Sequence, residues 1–240
     1  MERLIAWAVF AAALAFALVP FAVSFGGFDP RAFPNPLPDP VAQPEGWTFS
    51  IWGLIYLWLV VTTLGAAIFH VDTPTFWPHR PWLLVALVVG AAWLFVALES
   101  AIWATLLIWI MWIGAVGALF RAPASHRWMV RGPVGLFAGW LTAAASISIA
   151  LVGAGWGVWF DEVTWAVIAL VLALVLGIWL MARLAVPEVA LAIGWALVGL
   201  TVDASDKSTL VAGLAAVGAV LMLVLAVRAV IRPSPKLAVA

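Results

Sequence analysis

Pro44-Glu45-Gly46-Trp47-Thr48-Phe49-Ser50-Ile51-Trp52-Gly53-Leu54-Ile55-Tyr56 marks where the chain leaves a proline-crowded segment and enters a long apolar one. Pro30, Pro34, Pro36, Pro38, Pro40 and Pro44 crowd the approach. Proline at that density blocks helix and keeps the backbone extended and stiff. Beyond it, residues 47–69 form an apolar run that makes a helix of about 34 Å, enough to cross a bilayer. Trp47 and Phe49 stand at its mouth, at the headgroup depth that amphipathic rings favour. Trp52 and Tyr56 are four apart and share one face, a turn deeper. A wall of large rings beneath a stiff lid is how a crevice for a flat, apolar molecule would be built.

Composition extends this reading to the whole chain. Of 240 residues, 67% are hydrophobic and 9% charged, against roughly 25% charged in soluble domains. The apolar residues come in unbroken blocks, which predicts an all-α, polytopic transmembrane helix bundle and excludes the alternation of a β-barrel. The lipid bilayer is therefore the first partner, and a net charge of zero argues for no nucleic acid partner. The absence of cysteine removes disulfides, thiolate chemistry and cysteine metal sites.

About eight spans are expected. Residues 4–25 read as a retained first helix, because the apolar run is longer than a signal-peptide core. The second helix, 47–69, is followed by a polar turn holding His70, Asp72, His79 and Arg80. Residues 82–120 would make about 58 Å as one helix, so they divide into two near Glu99-Ser100. Residues 133–153 form the fifth span, and Asp161-Glu162 cap a sixth that ends near Met181. Pro187 opens a shorter seventh to about residue 202, and residues 209–231 form the eighth. With the N-terminus inside, Arg3, Arg80, Arg121, Arg127, Arg131, Arg183, Arg228, Arg232 and Lys236 fall on the inner side. Only Arg31 and Lys207 fall outside. That asymmetry predicts a multi-pass protein of the cell (plasma) membrane with both termini cytoplasmic and the proline segment outside.

Few residues offer chemistry. Trp52, Trp93 and Trp140 read as deep in the membrane, where an indole N–H needs a partner or a ligand. Glu99 reads as a solvated residue at the tip of a helical hairpin. Gly135, Gly139 and Ala143 recur every fourth residue and let another helix approach closely, inside the bundle or in a homodimer. His70, His79 and His126 lie in or beside loops, lack metal-ligand spacing and read as surface histidines. The lysines, Lys207 and Lys236, lie outside the spans and offer no Schiff-base candidate. Hydrolase, zinc-protease and phosphate-loop motifs are absent. The expectation is a non-enzymatic protein with no metal and no resident cofactor.

Gly46-Trp47-x-Phe49 followed by Trp52-x-x-x-Tyr56 resembles the tryptophan-rich sensory protein family, the bacterial TspO relatives of the mitochondrial translocator protein. The wording from Phe49 to Tyr56 is similar to a longer branch of that family. The resemblance implies a five-helix translocator-like bundle over residues 1–153, with residues 154–240 adding three transmembrane helices. It implies a pocket under the first loop for a hydrophobic small molecule: a tetrapyrrole, a sterol-like lipid or another aromatic compound. Trp47, Phe49, Trp52 and Tyr56 match the second-helix motif, Trp93 the third-helix tryptophan and Trp140 that of the fifth. This sequence departs from relatives at Gly90 and near Ser148, where asparagines are expected. The interval from Phe49 to Trp52 is also one residue shorter, which turns Trp52 by about 100° around the helix. The implied role is sensor or carrier. The rivals are a secondary transporter, which would use Thr62, Thr63, Thr105, Thr142, Ser146, Ser148 or Glu99, and a ligand-free membrane assembly partner.

Overall fold

Ser100 alone divides the longest apolar run in the computed structural model, which describes residues 1–23, 25 and 27–231. Its backbone is extended (φ −156°, ψ 115°), and its hydroxyl accepts a 3.4 Å hydrogen bond from the Trp103 N–H. A serine in that conformation ends one helix and caps the next. The described residues fold into eight α-helices: α1 (Glu2–Ala22), α2 (Ile51–Phe69), α3 (Arg80–Glu99), α4 (Ala101–Arg121), α5 (Gly132–Gly155), α6 (Glu162–Leu184), α7 (Pro187–Asp203) and α8 (Thr209–Ile231). Seven are long and apolar enough to cross a membrane. The eighth, α7, has 17 residues, about 26 Å at 1.5 Å per residue. The chain is a polytopic helical membrane protein.

The ends differ from expectation where turn chemistry intervenes. The first helix stops at Ala22, just past Pro20. Gly46–Ser50 winds as a 3-10 turn ahead of α2, and Arg127–Arg131 as a wider π turn ahead of α5. Asp161 caps α6 as expected, accepting from the Thr164 N–H at 2.7 Å. Glu99 is exposed at the hairpin tip.

Helix α5 is the axis of the bundle. Most of its residues are buried, whereas the other spans keep most of theirs toward lipid. It packs against α2, α4, α6 and α7. Without a hydrophobic force between helices in hydrocarbon, association rests on close packing of small residues. The face with Gly135, Gly139 and Ala143 does this within the bundle. A Cβ at Gly139 would lie 2.5 Å from the Val189 carbonyl oxygen and 2.8 Å from its Cα. One at Gly135 would lie 2.6 Å from Val186 Cγ1. This face is covered by α7 and is not open to a second copy. On the far side, α1 packs on α2 and α3, and α3 on α4.

Alternating helix directions put the start of α1 and the end of α8 on one face. Arg232 and Lys236, assigned to that face from the sequence, lie outside the described residues. Two groups expected at its surface are buried instead. Arg80 is 2% exposed; it donates to the His70 and Val71 carbonyls at 2.8 and 3.1 Å and faces Glu2 at 3.7 Å. His79 is 4% exposed, enclosed with residues of α1, α2 and the π turn before α5 and with the Phe76 ring at 5.8 Å. Burial, with Arg80 beside it, pushes the imidazole down to about 3, so it is neutral at ordinary pH.

Gly139→Val should lower stability in detergent by about 1–3 kcal/mol through overpacking against α7. At Gly53 an added Cβ meets nothing within 4 Å, so Gly53→Ala should be neutral or stabilising by up to about 1 kcal/mol. Thermal unfolding followed by circular dichroism distinguishes the two.

Candidate functional site

The proline segment is a strap laid across the ends of α5 to α8 on the face away from the N-terminus. Its Phe33 ring packs directly on Gly155, where any Cβ would collide with the ring, and edge-on to Trp156 at 5.4 Å. The Asn35 N–H donates to the Gly155 carbonyl at 2.9 Å, and the Val41 N–H to Glu162 Oε1 at 2.7 Å. The Glu45 N–H donates to the Gly199 carbonyl at 3.3 Å. Lys207, between α7 and α8, donates to Asp39 of the strap and to Asp203 at 2.8 Å. Burial alone would lower the Lys207 ammonium, but the hydrogen bonds to Asp203 and Asp39 outweigh it and hold the group above lysine's ordinary value.

The strap delivers the chain to the 3-10 turn at Gly46–Ser50, which is held by α7. Trp195 Nε1–H donates to the Thr48 carbonyl at 2.8 Å, and the Trp47 ring stands edge-on to Trp195 at 4.9 Å. From there α2 descends with Trp52 and Tyr56 facing inward. Those two rings stack at 5.3 Å with planes 17° apart. Phe16 of α1 meets them edge-on at 5.7 and 4.9 Å. Trp140 of α5 meets Trp52 at 6.0 Å and Phe49 at 5.7 Å, and Phe137 closes the inner side.

Of the six site residues expected from the sequence, four converge: Phe49, Trp52, Tyr56 and Trp140. Trp47 belongs to the α7 contact. Trp93 lies against Phe25 and Phe28 of the segment after α1, and its indole N–H donates to the Ala104 carbonyl at 2.8 Å, so it lacks nothing. Phe16 and Phe137 were not expected. Gly90 makes room for Phe16: a Cβ there would lie 2.7 Å from the Phe16 ring. Gly90 alone does not say which ring fills the space beside it, so the sequence carried no signal for Phe16.

Trp140 is the unsatisfied member. It is 2% exposed, and its Nε1–H has no hydrogen-bond partner among the described residues. The faces of Phe49 and Trp52 are a second-order substitute, and a buried donor without a partner costs about 1–3 kcal/mol. Phe49 is the outermost ring over it, 41% exposed.

Thr105 of α4 donates across to the Ser148 carbonyl of α5 at 3.4 Å, and the other hydroxyls singled out in the spans bond within their own helix. Thr62, Thr63, Thr142 and Ser146 each donate to a carbonyl one turn back at 2.7–2.8 Å. Ser148 donates to the Ala145 carbonyl at 2.7 Å. A cavity of about 20 Å³ near Thr62, Thr63, His79 and Arg80 has room for one water. Among the described residues, no three His, Cys, Asp or Glu side chains converge as a metal set.

A family model described as TSPO-like protein matches residues 3–228, a stretch running from α1 into α8. No curated protein and no solved structure matches the chain.

Lys207→Met should loosen the strap while leaving the bundle folded. Hydrogen exchange at the Val41 and Glu45 amides should quicken about tenfold, the worth of one charge-assisted anchor. Unchanged exchange would show that the strap is held without this lysine.

Proposed function

The chain belongs to the TSPO-like protein family, and from that premise we propose that it binds a hydrophobic aromatic small molecule, tetrapyrrole- or sterol-like, among the rings at the head of α2. It does so as a sensor or carrier, not as an enzyme. The observation that carries this reading is the Trp140 indole N–H, buried in a ring cluster and lacking an acceptor. A flat ligand with a carbonyl, carboxylate or hydroxyl oxygen at its edge supplies that acceptor while stacking on the neighbouring rings. Because no water-sized space reaches the N–H, binding requires a ring to move. Phe49, half-exposed at the end of a 3-10 turn, is the ring best placed to swing aside.

The transporter reading has less support. Thr62, Thr63, Thr142, Ser146 and Ser148 already bond their own helices, Thr105 donates to the Ser148 carbonyl of α5 at 3.4 Å, and Glu99 is exposed at a hairpin tip. The assembly-partner reading drew on the small-residue face of α5, which α7 occupies.

Orientation follows from charge. Among the described residues, Arg3, Arg80, Arg121, Arg127, Arg131, Arg183 and Arg228 lie on the N-terminal face, with Arg31 and Lys207 on the strap face. By the positive-inside rule the N-terminal face is cytoplasmic and the strap outside, in the plasma membrane.

Binding is tested by titrating protoporphyrin into the detergent-solubilised protein and following the porphyrin absorption band. Saturable binding is expected, weakened roughly five- to tenfold in Trp140→Phe by loss of one hydrogen bond. Trp112→Phe should leave it unchanged, because that N–H is already taken by Thr142 at 2.9 Å. Equal affinity in wild type and Trp140→Phe would remove the proposed contact. Orientation is read from single cysteines placed in this cysteine-free chain. Ser205→Cys should react with an impermeant maleimide on intact cells, and Ser125→Cys only after permeabilisation.

A further inference from the structure

The N-terminal face holds a cavity of about 200 Å³ between the π turn leading into α5, the α6–α7 link and the end of α8. Its charged lining is Arg127, Arg131 and Glu188. Arg127 donates through Nε and Nη2 to Glu188 Oε1 at 3.2 and 2.9 Å, so these two charges neutralise each other. Glu188 is 6% exposed; Arg127 holds its Oε1, and its Oε2 is buried with no hydrogen-bond partner among the described residues. Arg131 spends one N–H on the Leu184 carbonyl at 2.7 Å and makes no ion pair among the described residues. The cavity therefore carries one uncompensated positive charge, with guanidinium donors still free to fork around an anion. Pro187 brings the positive end of α7 to the same place.

The outer wall tells what kind of anion fits. Ala229 and Val230 of α8 close the cavity on the lipid side. From Val230 an exposed apolar stripe, Val227, Leu223 and Val220, runs up the same face of α8 into the hydrocarbon. A phosphate seated at Arg131 can thus keep its acyl chains along α8. A headgroup ammonium would have to face Arg131, with Glu188 Oε1 paired to Arg127 and Oε2 buried out of its reach.

We propose that this cavity is a binding site for the phosphodiester headgroup of an anionic phospholipid of the glycerol type. Arg131 is the principal contact, and the Arg127–Glu188 pair is the fixed wall. Basic recesses between helices at headgroup depth suit such lipids. The site is separate from the ring cluster and does not depend on the porphyrin reading.

Native mass spectrometry of the full chain in detergent, titrated with phosphatidylglycerol and phosphatidylcholine, tests it. Phosphatidylglycerol should bind roughly fivefold tighter, the worth of about one guanidinium. Arg131→Gln should abolish the preference. Ala229→Phe, which fills the cavity without touching a charge, should do the same and carries the test if Arg131→Gln does not fold. Arg183→Gln, an exposed guanidinium on the same face outside the cavity, should keep it. Equal binding of the two lipids, or equal loss in Arg183→Gln and Arg131→Gln, overturns the site. Displacement of the lipid by millimolar inorganic phosphate overturns the lipid as its occupant.

Discussion

At Gly139 the backbone of α5 meets the backbone of α7 with no side chain between them, a Cβ there being only 2.5 Å from the Val189 carbonyl oxygen. In hydrocarbon, apolar surface gains nothing by leaving lipid for another helix, so contacts of this kind must hold the bundle. The same logic recurs where ring faces lie on glycine: Trp82 on Gly117, Trp165 on Gly153 and Phe33 on Gly155. Large and small residues are matched in pairs, and each pair fixes a depth as well as a distance. With α7 seated on α5, Trp195 and Gly199 are set where the head of α2 must come down. The ring cluster inherits its geometry from a contact between two helices that contribute only one of its tryptophans.

The strap depends on the same seat. Its polar anchors, the Gly155 carbonyl, Glu162, the Gly199 carbonyl and Lys207, belong to α5, α6, α7 and the α7–α8 link. Proline density makes the strap stiff but gives it few N–H groups of its own to donate. Three of them, at Asn35, Val41 and Glu45, find acceptors on the C-terminal half, while those of Arg31 and Gln43 bond within the strap. Helices α6 and α7 therefore both anchor the lid and cover one side of α5, which α2 and α4 cover on the other.

Much of the fold could be read from local chemistry. The break at Ser100, the caps at Asp161 and Pro187, and the ends of α8 are set by residues within a turn of the boundary, so hydropathy and capping locate them. What could not be read is pairing over long separations. Trp195 reaches Thr48 across 147 positions, and nothing periodic marks either residue. Depth was equally hidden: a histidine beside a loop looks solvated, yet His79 is buried among residues of α1, α2 and the π turn before α5, all distant in sequence or in register. At the candidate site, that Trp52 and Tyr56 share one face followed from their spacing of four. The ring that fills the space between them and α3, Phe16, did not, because Gly90 records only an absence.

That filling bears directly on how a ligand is accommodated. With Phe16 occupying the place beside Gly90, the cluster is closed on the α3 side, and Trp93 is bonded away to Ala104. Displacing Phe16 would open apolar contact on three helices at once, whereas Phe49 sits at the rim on a 3-10 turn with half its ring exposed. Rim rings give way more easily than core rings because they leave fewer contacts behind. On the proposed reading, a ligand therefore enters from the strap side and stops at Trp140. The unbonded indole N–H then keeps the empty site slightly unfavourable, and an acceptor on the ligand relieves that penalty. Selectivity would lie in that acceptor's position on the ligand edge, since the stacking surfaces discriminate little among flat molecules.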